Sequence, residues 1–214
     1  MLQDAVRRFD PSVLAALQRF GPLLVFVHHG EDYDKYIEFV EHVPNARRVH
    51  SNAMGTLYQL PGLSRRQDPD QTRAISSIVM DGEATVTASM TDGHLETRAR
   101  TSTFGDPSPG HELVITFDRP IAVSGVEVDL GDFAGDYPQT LRVDAATTPG
   151  AAPWLVWEGS ARGAAMVGVL DDPRRGAVTI DLPAAPPVRQ LIMTIVDGPQ
   201  AFWWTVAELK VFGR

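Results

Sequence analysis

The last strand-like segment of the chain carries one acidic side chain among apolar ones. Residues 204–213 read Trp-Thr-Val-Ala-Glu-Leu-Lys-Val-Phe-Gly. Val206, Leu209 and Val211 offer apolar surface to a core, whereas Glu208 is costly to bury unless a cation or a hydrogen-bond donor meets it. The segment therefore predicts a strand packed on a core, and a carboxylate in such a place suggests a metal ion.

Composition predicts a folded protein of one large or two small domains. The chain has 214 residues, of which 43% are hydrophobic and 21% are charged. Its longest apolar run, Leu23–Val27, is far shorter than the roughly 20 residues that cross a bilayer. No secretory signal is visible at the start. Cysteine is absent, which excludes disulfides and thiolate chemistry.

The charge is divided unevenly along the chain. Residues 1–66 carry 8 basic and 7 acidic side chains, whereas residues 67–214 carry 11 and 20. An acidic surface repels phosphate backbones and anionic headgroups, so the composition argues against nucleic acid and against electrostatic membrane binding as the main purpose.

A polar stretch with a proline, Leu63–Arg73, has neither helical nor strand periodicity and marks a boundary. We predict a small α/β subdomain over residues 1–62, a linker and first strand over 63–83, and a second domain over 84–214.

The first part alternates between helical and strand patterns. Apolar residues recur at helical spacing over Val6–Phe20, where Asp10 is placed to cap a segment that begins near Pro11. A buried strand is predicted at Leu23–Val27, a helix at Tyr33–Val43, and a last strand within Arg47–Leu60. This alternation is typical of a small layered α/β fragment.

After the boundary the hydrophobic period changes to two. Short alternating segments, as at Leu113–Phe117 and Val126–Leu130, are separated by turn sequences such as Asp92-Gly93 and Thr148-Pro149-Gly150. Many short strands between such turns predict an antiparallel sandwich, so that the chain as a whole is mainly β.

Residues 84–214 resemble the discoidin family, also called the coagulation factor V/VIII type C family. Trp204–Gly213 is similar to that family's closing strand, and Ala88–Thr97 to its early Asp-Gly loop. Further matches follow in the family's order: Leu113–Phe117, Val123–Leu130, Tyr137-Pro138, Leu141–Val143, Trp154 and Val188–Met193. The resemblance implies a jelly-roll β-sandwich of the galactose-binding-like type and a non-catalytic carbohydrate-binding function.

Many carbohydrate-binding members hold a structural Ca²⁺ beside the Asp-Gly loop. Carried over to this chain, the resemblance implies Asp92, Thr97 and Glu208 as ligands, with backbone oxygens around Ala88 and Gly93. Oxygen ligands of this kind suit Ca²⁺. The alternative is that Asp92 only shapes a turn and that Glu208 pairs with an arginine such as Arg98.

In this family the sugar site lies on loops at one end of the sandwich, here 92–112, 131–138 and 198–204. Sugar binding needs an aromatic face and a few polar partners. The candidates are Arg98, Arg100, His111, Asp136, Tyr137, Phe202 and Trp203, with Phe133 as a secondary platform. Trp154, Trp157 and Trp204 are instead predicted to pack in the core or against turns.

Two departures from the family pattern bear on ligand contacts more than on the fold. Arg98-Ala99-Arg100 stands where the family has a tryptophan shortly after its threonine, and Thr147–Gly150 replaces an acidic turn. The two arginines could bind an acidic sugar or balance the surrounding carboxylates.

The first part also resembles, over a short and loose pattern, the soluble tail of bacterial polytopic membrane glycosyltransferases. Ala16–Gly21 leads into Leu24–His28, and Gly55–Pro61 closes the segment. The neighbouring His28 and His29 follow a buried strand, but adjacent side chains at a strand end point to opposite sides, which argues against a two-histidine metal site.

The sequence thus predicts a non-enzymatic, extracytoplasmic carbohydrate-binding protein, associated with a membrane glycosyltransferase or another cell-envelope glycan protein. A protein-interaction module using the same loops and an enzyme with its site in the α/β part remain the alternatives.

Overall fold

The computed structural model describes residues 10–62, 71–82, 87–100, 110–133, 136–172, 175–197 and 204–213. The chain divides into two compact units, Met1–Gln67 with Arg162–Val167, and Asp68–Ala161 with Gly168–Arg214. No helix in the described ranges is long and apolar enough to cross a bilayer.

The first unit is a three-stranded antiparallel sheet with helices. Its elements are α1 (Ser12–Leu17), a 3₁₀ turn (Gln18–Phe20), β1 (Leu23–His28), α2 (Tyr33–Glu41), β2 (Arg47–Asn52) and β3 (Gly55–Leu60). The strand order is β1-β3-β2. Asp10 accepts the backbone N–H of Ser12 at 3.1 Å, so the predicted cap is present at the start of α1.

One face of this sheet is buried and the other is open. Phe39 and Val40 of α2 pack with Tyr58 and Leu60 of β3 in one core cluster. On the other face of β1, Leu24 and Phe26 are 70% and 50% exposed.

One expectation for the first unit was wrong in detail. The single strand predicted within 47–60 is a hairpin, in which the Asn52 side chain accepts the N–H groups of Met54 and Gly55 at 2.8 and 3.2 Å. The two central turn residues, Ala53 and Met54, are not typical turn formers, and the signal lies in the flanking Asn52 and Gly55. The unit also includes residues 162–167, where Met166 packs with Val13 and Ala16.

The second unit is an antiparallel sandwich, as the period of two predicts. Its strands are β4 (Gln71–Thr72), β5 (Ser77–Met80), β6 (Ala99–Arg100), β7 (Glu112–Ile121), β8 (Val123–Asp129), β9 (Thr140–Ala146), β10 (Trp154–Ser160), β11 (Ala177–Asp181), β12 (Val188–Asp197), β13 (Thr205–Val206) and β14 (Glu208–Gly213). A five-stranded sheet has the order β10-β9-β12-β7-β5, a four-stranded sheet has the order β11-β8-β14-β4, and β13 pairs with β6.

Alternating side chains from both sheets fill the core. Leu113, Ile115 and Phe117 of β7 are at most 1% exposed, and so are Val126 of β8 and Val211 of β14. Trp204 is fully buried, as predicted, whereas Trp154 and Trp157 on edge strand β10 are half-buried. The fold is therefore mainly β, with the jelly-roll core in residues 71–213.

A helix that the sequence analysis did not predict, α3 (Arg162–Asp171), connects β10 to β11. Its two glycines lower helix propensity, and this hides it from pattern reasoning. At Gly168 a Cβ atom would lie 1.8 Å from the Ala177 carbonyl oxygen, so only glycine lets the helix end approach β11 this closely.

We expect Gly168→Ala to destabilise the second unit by about 1–3 kcal/mol, because the added methyl group forces backbone apart where no flexible side chain can yield. Urea denaturation measures the loss. Gly30→Ala is the matched control, since a Cβ at Gly30 meets nothing within 4 Å. Equal denaturation midpoints for the two variants would contradict the close packing of α3 on β11.

Candidate functional site

Strand ends gather the predicted site residues at one end of the sandwich. Only Ala122 separates β7 from β8, so the C-terminal end of β8 returns to the end where β7 begins. Glu208 at the start of β14 pairs with Asp129 at the end of β8. The loops before β7, after β8 and before β14 therefore share this end, which we name the loop end.

The Asp-Gly loop is attached to β14 through Glu208. The N–H of Gly93 donates to Glu208 Oε1 at 2.7 Å, and Glu208 is 8% exposed. The alternative pairing of Glu208 with Arg98 is absent from the contacts of the described residues. Backbone N–H groups of the loop, those of Gly93 and His94, rather than an arginine, thus stabilise this buried carboxylate among the described residues.

Asp92 and Thr97 close the loop on itself. Thr97 Oγ1 lies 2.9 and 2.8 Å from the two carboxylate oxygens of Asp92. The same hydroxyl lies 2.8 Å from the His94 carbonyl oxygen and 3.4 Å from that of Ser89. The single hydroxyl proton of Thr97 can be donated to only one of these four oxygens at a time, so the loop has more hydrogen-bond acceptors than donors.

The two carboxylates have opposite pKa shifts. The N–H of His94, followed by the Thr97 hydroxyl, lowers the pKa of Asp92 by stabilising its charge. Burial raises the pKa of Glu208, and the neighbouring Asp92 adds to the rise while the Gly93 N–H opposes it. Two negative groups of which one is buried lie side by side, an arrangement that a cation would stabilise.

The donor set of this loop fits a hard cation. It offers carboxylate oxygens from Asp92 and Glu208, the Thr97 hydroxyl, and the carbonyls of Ser89 and His94. All are oxygens, as Ca²⁺ prefers. The described residues contain no group of three or more His, Cys, Asp or Glu side chains placed to hold a metal, so the fit depends on hydroxyl and backbone oxygens.

Arg98 and Phe133 meet at the loop end. The guanidinium carbon of Arg98 lies 4.1 Å from the Phe133 ring centroid, a cation–π contact. Both side chains are exposed, Phe133 by 37%. Phe133, which the sequence analysis names as a secondary platform, is thus the described aromatic residue that contacts one of the predicted polar partners, Arg98.

A close approach between two loops brings this pair together. Gly131 has a φ of +56°, and a Cβ there would lie 3.0 Å from the Leu95 carbonyl oxygen. Its N–H donates to Asp129 Oδ1 at 2.9 Å. Asp129 is 1% exposed and also pairs with Arg175. The β8–β9 loop is therefore held against the Asp-Gly loop. Phe133 and Arg98 lie in these two loops, shortly after the residues that approach closely.

Arg100 is exposed on the short ladder between β6 and β13. It pairs with Thr205, and the neighbouring Ala99 pairs with Val206 and is 6% exposed. Ala99 packs inward, whereas Arg98 just before the strand and Arg100 on it are exposed. The substitution of the family's tryptophan thus leaves a small buried residue between two exposed cations.

Asp136 is placed to hold the loop rather than to meet a ligand. Its carboxylate accepts the Thr205 hydroxyl at 2.8 Å, and its carbonyl accepts the Thr205 N–H at 3.2 Å. Asp136 is 8% exposed. Tyr137 beside it is half-buried.

His111 belongs to a separate hollow of about 400 Å³ lined by Asp81 and Gly110, among others. Its Nδ1 lies 2.8 Å from Asp81 Oδ2, and its side chain is 14% exposed. Asp81 also accepts the N–H of Glu112 at 3.0 Å. The sequence analysis did not identify Asp81, because nothing in the chain marks a partner 30 residues away.

Phe202 and Trp203 lie outside the described residues. In the first unit, His28 Nδ1 lies 2.5 Å from the His29 carbonyl, and the His29 ring packs edge-on against Tyr33 at 4.1 Å. In the described part of the chain, neither histidine contacts a carboxylate or a nucleophile.

No protein-family model and no curated protein matches the chain. Solved structures do match. The CBM32-1 and CBM32-2 domains of Clostridium perfringens ZmpB are 18% identical with a TM-score of 0.52, over 67% of this chain and 37% of theirs. The same two modules in complex with GalNAc are 18% identical with a TM-score of 0.52, over 67% of this chain and 36% of theirs.

A longer ZmpB structure, which adds the M60 catalytic domain, is 16% identical with a TM-score of 0.51, over 91% of this chain and 17% of that one. The chain spans about a third of the two-module structures. These likenesses show the fold: the jelly roll is that of CBM32 modules, which is the galactose-binding-like fold of the discoidin resemblance. The glycosyltransferase resemblance of residues 1–62 has no support among them.

We expect Glu208→Gln to stabilise the metal-free protein increasingly as pH rises. The amide oxygen can still accept the Gly93 N–H, but the charge beside Asp92 is gone. Burial raises the pKa of Glu208, so its contribution to stability is present below its ordinary pKa of 4.5 and is lost as pH rises through the folded-state pKa. The variant's advantage over wild type should therefore grow between about pH 4 and pH 7.

Urea denaturation in chelator at several pH values measures this difference. Glu96→Gln, an exposed neighbour on the same loop, is the control and should differ from wild type by an amount that changes little with pH. A constant gap between Glu208→Gln and wild type would show that Glu208 is not strained by burial.

Proposed function

We propose that the second unit is a non-catalytic carbohydrate-binding module whose ligand binds at the loop end. The observation that carries the proposal is the contact of Arg98 with the exposed Phe133 ring. The exposed part of the Phe133 ring offers apolar surface for the C–H groups of a sugar, and the guanidinium stacked on the ring offers N–H donors for its oxygens, which are the two kinds of contact that sugar recognition requires.

The site is built on rigid supports. Ala99 is fixed by the β6–β13 ladder, and the β8–β9 loop is fixed by Asp129 and Asp136. Ligand contacts positioned this way cost little ordering entropy on binding. The CBM32 fold of the ZmpB modules, one structure of which contains GalNAc, supports the same class of ligand.

Nothing at the loop end resembles a catalytic constellation among the described residues. Asp136 is committed to Thr205, and Asp81 to His111 and the Glu112 N–H. The described surroundings of His28, formed by residues such as Val27, Tyr36 and Phe39, include no carboxylate that could orient or activate it. Recognition without turnover is the function that these contacts support.

Ca²⁺ is part of the proposal, as a structural ion held by Asp92, Thr97 and Glu208. Held by these residues, the ion would supply the positive charge that the Asp92 and Glu208 carboxylates lack and would stabilise the Asp-Gly loop. The protein residues then hold Ala99 against β13, which keeps Arg98 and Arg100 outward.

The proposal includes the cellular location of the module and the kind of protein to which it is attached. A binding module of this kind suits an extracytoplasmic accessory role, attached to a membrane glycosyltransferase or to another cell-envelope glycan protein, where a weak single site serves to position the ligand. The resemblance of residues 1–62 to glycosyltransferase tails is its support. The alternative of a protein-interaction role through residues 202–203 concerns residues outside the described part of the chain.

We expect Phe133→Ala to reduce glycan binding at least tenfold, since it removes both the apolar surface and the support of Arg98. A glycan array followed by titration of the strongest hit measures the loss. Phe26→Ala is the matched control, because Phe26 is an exposed phenylalanine of the first unit. Equal effects of the two variants, or no glycan binding by the wild type, would overturn the proposal.

We expect Ca²⁺ to raise the melting temperature of the second unit. At a free concentration about 100 times the Kd, binding to the native state contributes about 2.7 kcal/mol, which corresponds to a rise of about 5–10 °C. Differential scanning calorimetry with Ca²⁺, Mg²⁺ or chelator measures it.

Glu208→Gln and Asp92→Asn should abolish the Ca²⁺ shift, whereas Glu96→Gln should keep it. Mg²⁺ should give a much smaller shift, because it demands a tighter octahedral site. An equal response of wild type and Glu208→Gln to Ca²⁺ would exclude the ion from this loop.

A further inference from the structure

We propose that the loop end selects sugars that carry a carboxylate, such as hexuronic acids, and that Arg98 binds that group. The proposal rests on the proposed function and names the class of ligand for the same site. Three observations lead to it: the surroundings of Arg98, the placement of Arg100 and the charge of the second unit.

Arg98 is held by a contact that leaves its hydrogen-bonding capacity unused. In the described part of the chain its guanidinium contacts Phe133 and no carboxylate. By contrast, Arg142 donates to Asp144 at 2.6 and 2.9 Å, and Arg175 pairs with Asp129. The cation–π contact positions Arg98 without occupying its N–H groups.

A second arginine follows Arg98 closely. Arg98, which precedes β6, and Arg100, the last residue of β6, are exposed on either side of the buried Ala99. The positive charge of Arg100 therefore adds to the attraction of an anionic ligand near Arg98.

The charge of residues 67–214 makes the placement of Arg98 informative. These residues carry 20 acidic and 11 basic side chains, and the loop end itself includes the carboxylates of Asp92, Glu96 and Glu208. Such a surface repels anionic ligands unless a guanidinium pairs with their charge. An acidic glycan that binds at the loop end therefore needs Arg98.

The shape of the donor group favours a carboxylate among anions. A guanidinium pairs with a carboxylate through two parallel N–H···O bonds in one plane. In a hexuronic acid the carboxylate is attached directly to the sugar ring, so pairing with Arg98 brings that ring beside Phe133. A single sugar residue then pairs with the charge of Arg98 and also makes an apolar contact with Phe133.

The test compares matched pairs of oligosaccharides that differ only in oxidation at C6. Trimers of galacturonic, mannuronic and glucuronic acid are titrated by calorimetry against the corresponding neutral trimers, at about 20 and 200 mM salt. A sulfated galactose trimer is a further arm, which separates carboxylate recognition from attraction to any anion. Circular dichroism melts verify that each variant is folded.

We expect at least one uronate trimer to bind at least tenfold more tightly than its neutral counterpart, with weaker binding at high salt. Arg98→Gln should remove that preference, because a charge-assisted hydrogen-bonded pair is lost. Arg98→Lys should restore little of it, since lysine keeps the charge but not the fork. Arg119→Gln is the control: Arg119 is exposed on β7 toward the other end of the strand.

Each other outcome overturns the proposal in a distinguishable way. Equal or tighter binding of neutral trimers leaves the carbohydrate-binding function standing and excludes carboxylate selection. Equal losses in Arg98→Gln and Arg119→Gln reduce the effect to net charge, and tighter binding of the sulfated trimer replaces the carboxylate by another anion. Absence of binding to every sugar tested, neutral ones included, removes the proposed function itself.

Discussion

The loop end depends on one buried carboxylate. Glu208 begins β14 inside the sandwich and accepts the N–H of Gly93 from a loop 115 residues earlier. This contact crosses from the last strand to the first large loop, so it fixes the Asp-Gly loop relative to the core. Because Glu208 is buried beside Asp92, its ionised form is energetically unfavourable unless a cation lies next to it.

The position of the ligand contacts follows from that attachment. With the loop fixed at Gly93, the chain reaches β6 in register with β13, and Ala99 is directed into the core. Gly131 then lets the β8–β9 loop approach the Leu95 carbonyl closely enough to bring Phe133 under Arg98. The exposed pair is thus specified by backbone contacts that lie behind it.

The β-sandwich could be predicted from the sequence because apolar and polar residues alternate along a strand according to which side chains are buried. Leu113, Ile115 and Phe117 are apolar since they face the core, and no distant information is needed to see it. The sequence could not predict α3, where Gly168 is required by the close approach to Ala177 rather than by local propensity. The Ala53-Met54 turn was missed although its signal is local, since the Asn52 side chain accepts N–H groups two and three residues along the chain.

Prediction of the site was limited by long-range pairing. A family resemblance identifies Asp92, Thr97 and Glu208, and the structure brings these three together. Whether a polar loop residue faces a ligand or the protein depends on its partner. Asp136 meets Thr205, 69 residues away, and His111 meets Asp81. Neither partner could be recognised from spacing or residue type.

The contrast between Asp136 and Arg98 shows how a fold of this type separates stability from recognition. Charged groups with a protein partner, such as Asp136 and Asp129, contribute to the placement of loops and are withdrawn from solvent. Arg98 is positioned instead by the face of an aromatic ring, which restrains the guanidinium but satisfies none of its donors. In a unit with a large excess of carboxylates, an arginine held in this manner repels cations, pairs with no neighbour among the described residues, and retains its hydrogen bonds for a ligand that brings its own negative charge.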